Sequence, residues 1–169
     1  MNKRNKAILC VITRAAAAGG VCGVFKAAVP IPLIEVGGLT AVTKNMCKKI
    51  AKTYHYDGLA GISTLIGVAI GAALGVKLAT ELIESIPGIG VGANIVSTVS
   101  LHLATGAIMI VVFELLDDGF ISKEAINDEK SVIGLVNRLM GGITDIVGKL
   151  FRGDFAGTMS YAKKLLQES

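Results

Sequence analysis

The side chains able to carry chemistry in this chain are few. They include three cysteines, Cys10, Cys22 and Cys47, and two histidines, His55 and His102. A structural zinc site needs paired Cys or His ligands at short spacing, and none of these residues is paired in that way. Three cysteines cannot all join as disulfides, so free thiols in a reducing compartment are expected. Gly142 to Leu150 has the glycine-then-lysine order of a phosphate loop. The gap between Gly142 and Gly148 is one residue too long, and Leu150 stands where a hydroxyl must reach magnesium. Gly88, Gly90 and Gly92 follow Pro87 with no strand before them, so they mark a turn and a helix start, not a dinucleotide site. Glu81 and Glu84 are close, but beside a turn they read as solvated. Nucleophile, base and paired carboxylates in an apolar setting are all missing from the pattern. The expectation is a non-enzyme with no cofactor and no metal.

Three other patterns bear on binding. Gly67, Gly71 and Gly75 recur every four residues, which puts them on one face of a helix, where glycine lets a second backbone approach. Each glycine costs about 1 kcal/mol in a helix, so three in register suggest close packing that offsets the cost. Lys44, Lys48 and Lys52 form a second four-residue row, with Lys49 beside it. That row suits anionic lipid headgroups and equally a solvated helix face. Asn94 and His102, eight residues apart, interrupt an apolar run. Inside a membrane they would mark a pathway or an interhelical hydrogen bond; the reading preferred here is satisfied core or capping residues.

The elements that would carry these patterns are helical. Clean period-two alternation is absent, whereas helical periodicity is frequent. Lys6 to Val29 reads as a first helix, weakened by Gly19, Gly20 and Gly23 and stopped by Pro30 and Pro32. Ile34 to Tyr56 reads as a second, with Tyr54 to Gly58 as its C-terminal cap. Gly58 to Val76 runs 19 residues without a charge, close to the length that crosses a bilayer. After a turn at Pro87 to Gly90, Ser85 to Phe113 runs 29 residues without a formal charge. Glu114 to Lys130 is polar and acidic. Ser131 to Phe151 is one strongly amphipathic helix, and Phe155 to Leu166 a short last one.

Composition agrees with this outline. Of 169 residues, 52% are hydrophobic, with 21 glycines besides and no Trp. That is the palette of closely packed helices and of membrane spans. The net charge of +4 is unevenly spread: residues 1–57 hold nine Lys/Arg against two acids. A basic start ahead of an apolar middle fits an anionic membrane surface. Nucleic acid is not expected, because the basic block lacks aromatic interleaving. A cleaved leader is not expected either, since the apolar run from Ala7 stops at Arg14.

The stretch from Ala18 to about Leu116 resembles a known family. The matching residues are Ala28 to Ile34 with Pro30 and Pro32, the helix Leu39 to Tyr54, the glycine-rich run to Gly75, and Ile86 to Gly90 before a long apolar helix. The family is the GTPase-associated domain of unknown function found in YcjF-type inner-membrane proteins and C-terminal to some Era-like or dynamin-like GTPases. The resemblance implies an all-helical, membrane-proximal module. It implies no catalytic residues, and it implies a GTPase only as a partner in trans. The helices after Ser131 lie outside it.

The expectations are therefore an all-α bundle of five to six helices around an antiparallel, glycine-rich hairpin of 58–84 and 90–116. Residues 1–130 form the main domain, and 131–169 add amphipathic helices packed on it. The expected role is a membrane-associated anchor or adaptor, at a bacterial inner membrane or cytoplasmic and membrane-associated, with lipid as partner and homo-oligomers allowed. Two alternatives stay open: a bilayer-permeabilising oligomer built on the glycine row, and a soluble helical protein holding an apolar ligand or protein partner.

Overall fold

The computed structural model describes the backbone of residues 1–28, 32–84 and 92–168 and the side chains of residues 1–18, 38–75 and 98–168. The described elements are all α-helices: α1 Lys3–Ala28, α2 Pro32–Tyr54, α3 Ile62–Glu84, α4 Gly92–Asp117, α5 Lys123–Asn127, α6 Glu129–Gly141, α7 Ile143–Phe151 and α8 Phe155–Gln167. The all-α expectation holds, with more helices than the five to six read from sequence.

The added helices have local causes. Residues 131–151, read as one helix, are divided between α6 and α7 at Gly141–Gly142. A Cβ on Gly142 would come within 2.8 Å of Tyr161 Cε1, so the break is where α8 passes closely. The acidic connection also holds a short helix, α5, started by Ser122, whose side chain accepts from the Ala125 N–H. Asp128 then caps α6 by accepting from the Ser131 N–H at 2.8 Å.

At its end, α2 closes as the sequence suggests. His55 takes a left-handed conformation (φ 62°), the Tyr56 N–H donates to Ala51 O at 2.9 Å and the His55 N–H to Lys52 O at 3.1 Å. That pair of bonds satisfies the carbonyls a helix end leaves open.

Helix α4 is the axis of the molecule. Ala107 to Phe113 and Leu115 are all fully buried, and a helix apolar on every side belongs inside a core. Around it, α1 runs antiparallel, since Arg4 meets Glu114 and Val11 lies over Gly106. α2 runs parallel, since Thr43 faces His102 and Tyr54 faces Glu114. α3 covers another side and α6, α7 and α8 complete the shell. Val132, Val136, Leu139, Ile146, Leu150, Met159 and Ala162 share one continuous core with the first four helices.

The α3–α4 pairing is present, but the glycine row does not make it. Leu65, Ile66, Ala69, Ile70 and Ala73 form the buried face of α3. Gly67, Gly71 and Gly75 lie on its exposed side, where an added Cβ would meet nothing within 4 Å. The reason is the helical period itself: the large side chains occupy the face that shares area with α4, which turns the glycine face outward.

Candidate functional site

Helix α1 has two unlike faces. Ala7, Val11, Ala15 and Ala18 are buried, and their spacing of three or four residues gives one inward stripe. Three alanines let α1 lie close to α4. On the outward side Leu9 and Ile12 are 53% and 45% exposed, and Met1, just before the helix, is 72% exposed. Large apolar side chains so open to water are informative, because burying one fully is worth about 1.5–3 kcal/mol.

Helix α2 supplies the matching half. Thr43, Met46, Cys47, Ile50, Ala51 and Tyr54 are buried, and that leaves Lys44, Lys48, Lys49 and Lys52 exposed. Between the two helices runs an open groove of about 530 Å³, lined by Met1, Lys6, Leu9, Cys10, Thr13, Arg14, Lys49, Lys52 and Thr53. Four cations line it, and among the described residues no carboxylate does. Lys44 and Lys48 extend the row of Lys52 along the same helix.

Two of the N-terminal cations are committed elsewhere, which fixes where α1 starts. Arg4 donates from Nε to Glu114 Oε1 at 3.1 Å and from a terminal nitrogen to Oε2 at 3.0 Å. The Tyr54 hydroxyl donates to the same Oε1 at 2.7 Å, and the guanidinium lies 3.1 Å from the centre of the Phe155 ring. Lys3 pairs with Asp117, which also accepts from the Tyr56 hydroxyl at 2.9 Å. Tyr54 and Tyr56 pack on Phe113 with ring centres 5.4 and 5.3 Å away. Carboxylates at a helix C-terminus oppose its dipole; Lys3, Arg4 and, on Asp118, Lys163 offset that at the end of α4.

Burial, aided by its hydrogen bond to Asp117, pushes the Tyr56 phenol up to about 12. The Tyr54 phenol is raised as well, by burial first and then by Glu114. Burial, with Cys10 nearby, pushes the Cys47 thiol up to about 12. A thiol so protonated is a core side chain, not a nucleophile.

The sequence-derived candidates fall as follows. Lys49 and Lys52 come together in the groove, whereas Lys44 and Lys48 are exposed on the same helix and do not line it. His102 is fully buried; its Nδ1 lies 3.0 Å from Thr98 O and its Nε2 3.3 Å from Thr43 Oγ1. It is a hydrogen-bonded core residue, while the Asn94 side chain lies outside the described residues. Gly67, Gly71 and Gly75 are remote from the groove, on α3. Among the described residues no group of three His, Cys, Asp or Glu side chains could hold a metal. Sequence reading missed Lys6, Leu9, Cys10 and Arg14 as a set, although their spacing of about seven residues from 6 to 13–14 already places them on one face.

By length and composition, one helix among the described residues could cross a membrane, Thr98–Asp117, and 78% of it is buried inside the protein. The apolar part of α3, Ile62–Gly75, is shorter. Compared with known proteins, the chain matches no family model, no curated protein and no solved structure.

Proposed function

We propose that this protein is a non-enzymatic module that attaches to anionic membrane surfaces through the α1–α2 face, with α4 remaining in the protein core. The observation that carries the reading is the combination on one face: Met1, Leu9 and Ile12 open to water beside Lys6, Arg14, Lys49 and Lys52, with no carboxylate among the described residues that line the groove. Apolar side chains that enter the headgroup boundary, bordered by cations that meet lipid phosphates, define an interfacial helix face. Each cation near such a surface is worth on the order of 1 kcal/mol. A GTPase acting in trans, which the family resemblance implies, would then meet a module already held at the membrane.

The test is sedimentation with vesicles. Binding is expected to vesicles containing phosphatidylglycerol and not to pure phosphatidylcholine. It should weaken in Lys49→Glu/Lys52→Glu and in Leu9→Ser/Ile12→Ser. Equal binding to both vesicle types, or to neither, overturns the reading. Dye release on binding would favour a permeabilising role.

A further inference from the structure

A cationic face that only hovers over a charged surface needs no apolar lining between its cations. The α1–α2 groove, though open, has one. Its volume of about 530 Å³ lies within the range of small-molecule pockets and far exceeds what one inorganic phosphate fills. Leu9 and the half-buried Cys10 give it an apolar lining on the α1 side, and Thr13 and Thr53 add hydroxyls. Lys6 and Arg14 come from one wall, Lys49 and Lys52 from the other, so an anion between them meets cations on both sides. Arginine pairs with phosphate oxygens in a planar, two-point fashion, whereas lysine acts as a point charge.

We propose that this groove is a stoichiometric site for one anionic phospholipid, its phosphate held among Lys6, Arg14, Lys49 and Lys52 and the first carbons of its acyl chain laid on Leu9 and Cys10. The proposal rests on the surface-attachment reading for the source of the phosphate, which is lipid. It goes further by making attachment saturable, at one lipid per chain. A headgroup bearing a phosphomonoester, with a charge approaching about −2 at neutral pH, matches the four cations better than a singly charged diester.

Cys10 reports on occupancy. It lines the groove and is partly open to solvent, whereas Cys47 is fully buried with a strongly protonated thiol. The full chain would be alkylated with N-ethylmaleimide and each cysteine followed by peptide mass spectrometry. Dihexanoyl phosphatidate, kept below its micelle concentration, is expected to protect Cys10 saturably, by about tenfold at roughly ten times its Kd. In Lys49→Glu/Lys52→Glu that protection is expected to vanish while Cys47 stays unreactive, which shows that the fold is intact. Equal protection by inorganic phosphate would overturn the lipid assignment in favour of a simple anion site. No protection of Cys10, with anionic vesicles still bound, would overturn the discrete site and leave a diffuse electrostatic attachment. Protection by the monomeric lipid with no vesicle binding would keep the groove site and overturn the attachment reading.

Discussion

At the scale of single residues, the glycines separate into two kinds that only the structure distinguishes. Gly61 donates its N–H to Asn127 Oδ1 at 2.9 Å, and a Cβ there would run into the Ile126 carbonyl. Gly106 lies beneath Val11 where α1 crosses α4, with no room for a methyl group. Gly71 faces open space. Overpacking a tight crossing costs about 1–3 kcal/mol, whereas replacing an exposed helical glycine by alanine gains up to about 1 kcal/mol. Gly61→Ala and Gly106→Ala are therefore expected to destabilise in urea denaturation, and Gly71→Ala to stabilise. Loss of stability in Gly71→Ala would show that the open face of α3 is covered in solution, as a glycine-mediated oligomer requires. The sequence shows that Gly67, Gly71 and Gly75 share a face, because that follows from spacing. It does not show which way the face points. That depends on the competing apolar area of Leu65, Ile66, Ala69 and Ile70, which outweighs what three glycines can bury.

At the scale of elements, α1 is the piece whose behaviour sequence reading represented least well. Its helical period is diluted by alanine and glycine, so spacing groups Lys6, Leu9, Cys10 and Arg14 on one face without showing that this face points outward, which appears only once α4 is in place. What seats it is the cluster at its first turn. Arg4 makes two bonds to Glu114, whose side chain is 8% exposed against 31% for Arg4. Removing one partner of a buried pair leaves the other charge unpaired, which costs about 3–5 kcal/mol when both are deeply buried. Solvent reaching Arg4 reduces that toward the range of surface pairs. Arg4→Met is thus expected to destabilise by about 1–3 kcal/mol and to raise amide exchange along α1 before the other helices. Uniform exchange across all helices would mean that α1 is held by its alanine stripe alone. The helix count fails in a related way. Gly141 and Gly142 are ordinary in an amphipathic pattern, and the break becomes necessary only through Tyr161 and Leu165 of α8, a contact that spacing along the chain cannot express. By contrast, the all-α class, the cap at His55 and the inward face of α6 are local properties, and they were legible.

At the scale of the whole molecule, the choice lies between a helix that inserts and a face that attaches. The stretch 98–117 has the length and composition of a span, yet α1, α2, α3, α6, α7 and α8 surround α4. Inserting it would strip those contacts and leave Glu114 and Asp117 without Arg4 and Lys3. Attachment through α1 and α2 leaves the core as it is, and an electrostatic hold weakens with salt as screening shortens from about 8 Å at physiological ionic strength to about 3 Å at 1 M. Protein bound to isolated membranes is therefore expected to come off in 1 M sodium chloride at neutral pH. A carbonate wash near pH 11 would not make this distinction, because it reaches the range in which groups that the fold keeps protonated begin to ionise. Cys47 is raised from 9.0 to about 12 and Tyr56 from 10.0 to about 12. A group whose folded value is raised contributes stability that is complete below its unfolded value and is lost as pH rises to the folded one. The fold therefore weakens between about pH 9 and 12, and release by carbonate would mix detachment with loosening of the core. Salt at neutral pH leaves those core groups protonated and screens chiefly exposed charges, those of the face among them. Retention through the salt wash, with release only by detergent, would overturn an attachment held by charge, and retention that also survives Leu9→Ser/Ile12→Ser would point to α4 exchanging its helical neighbours for lipid.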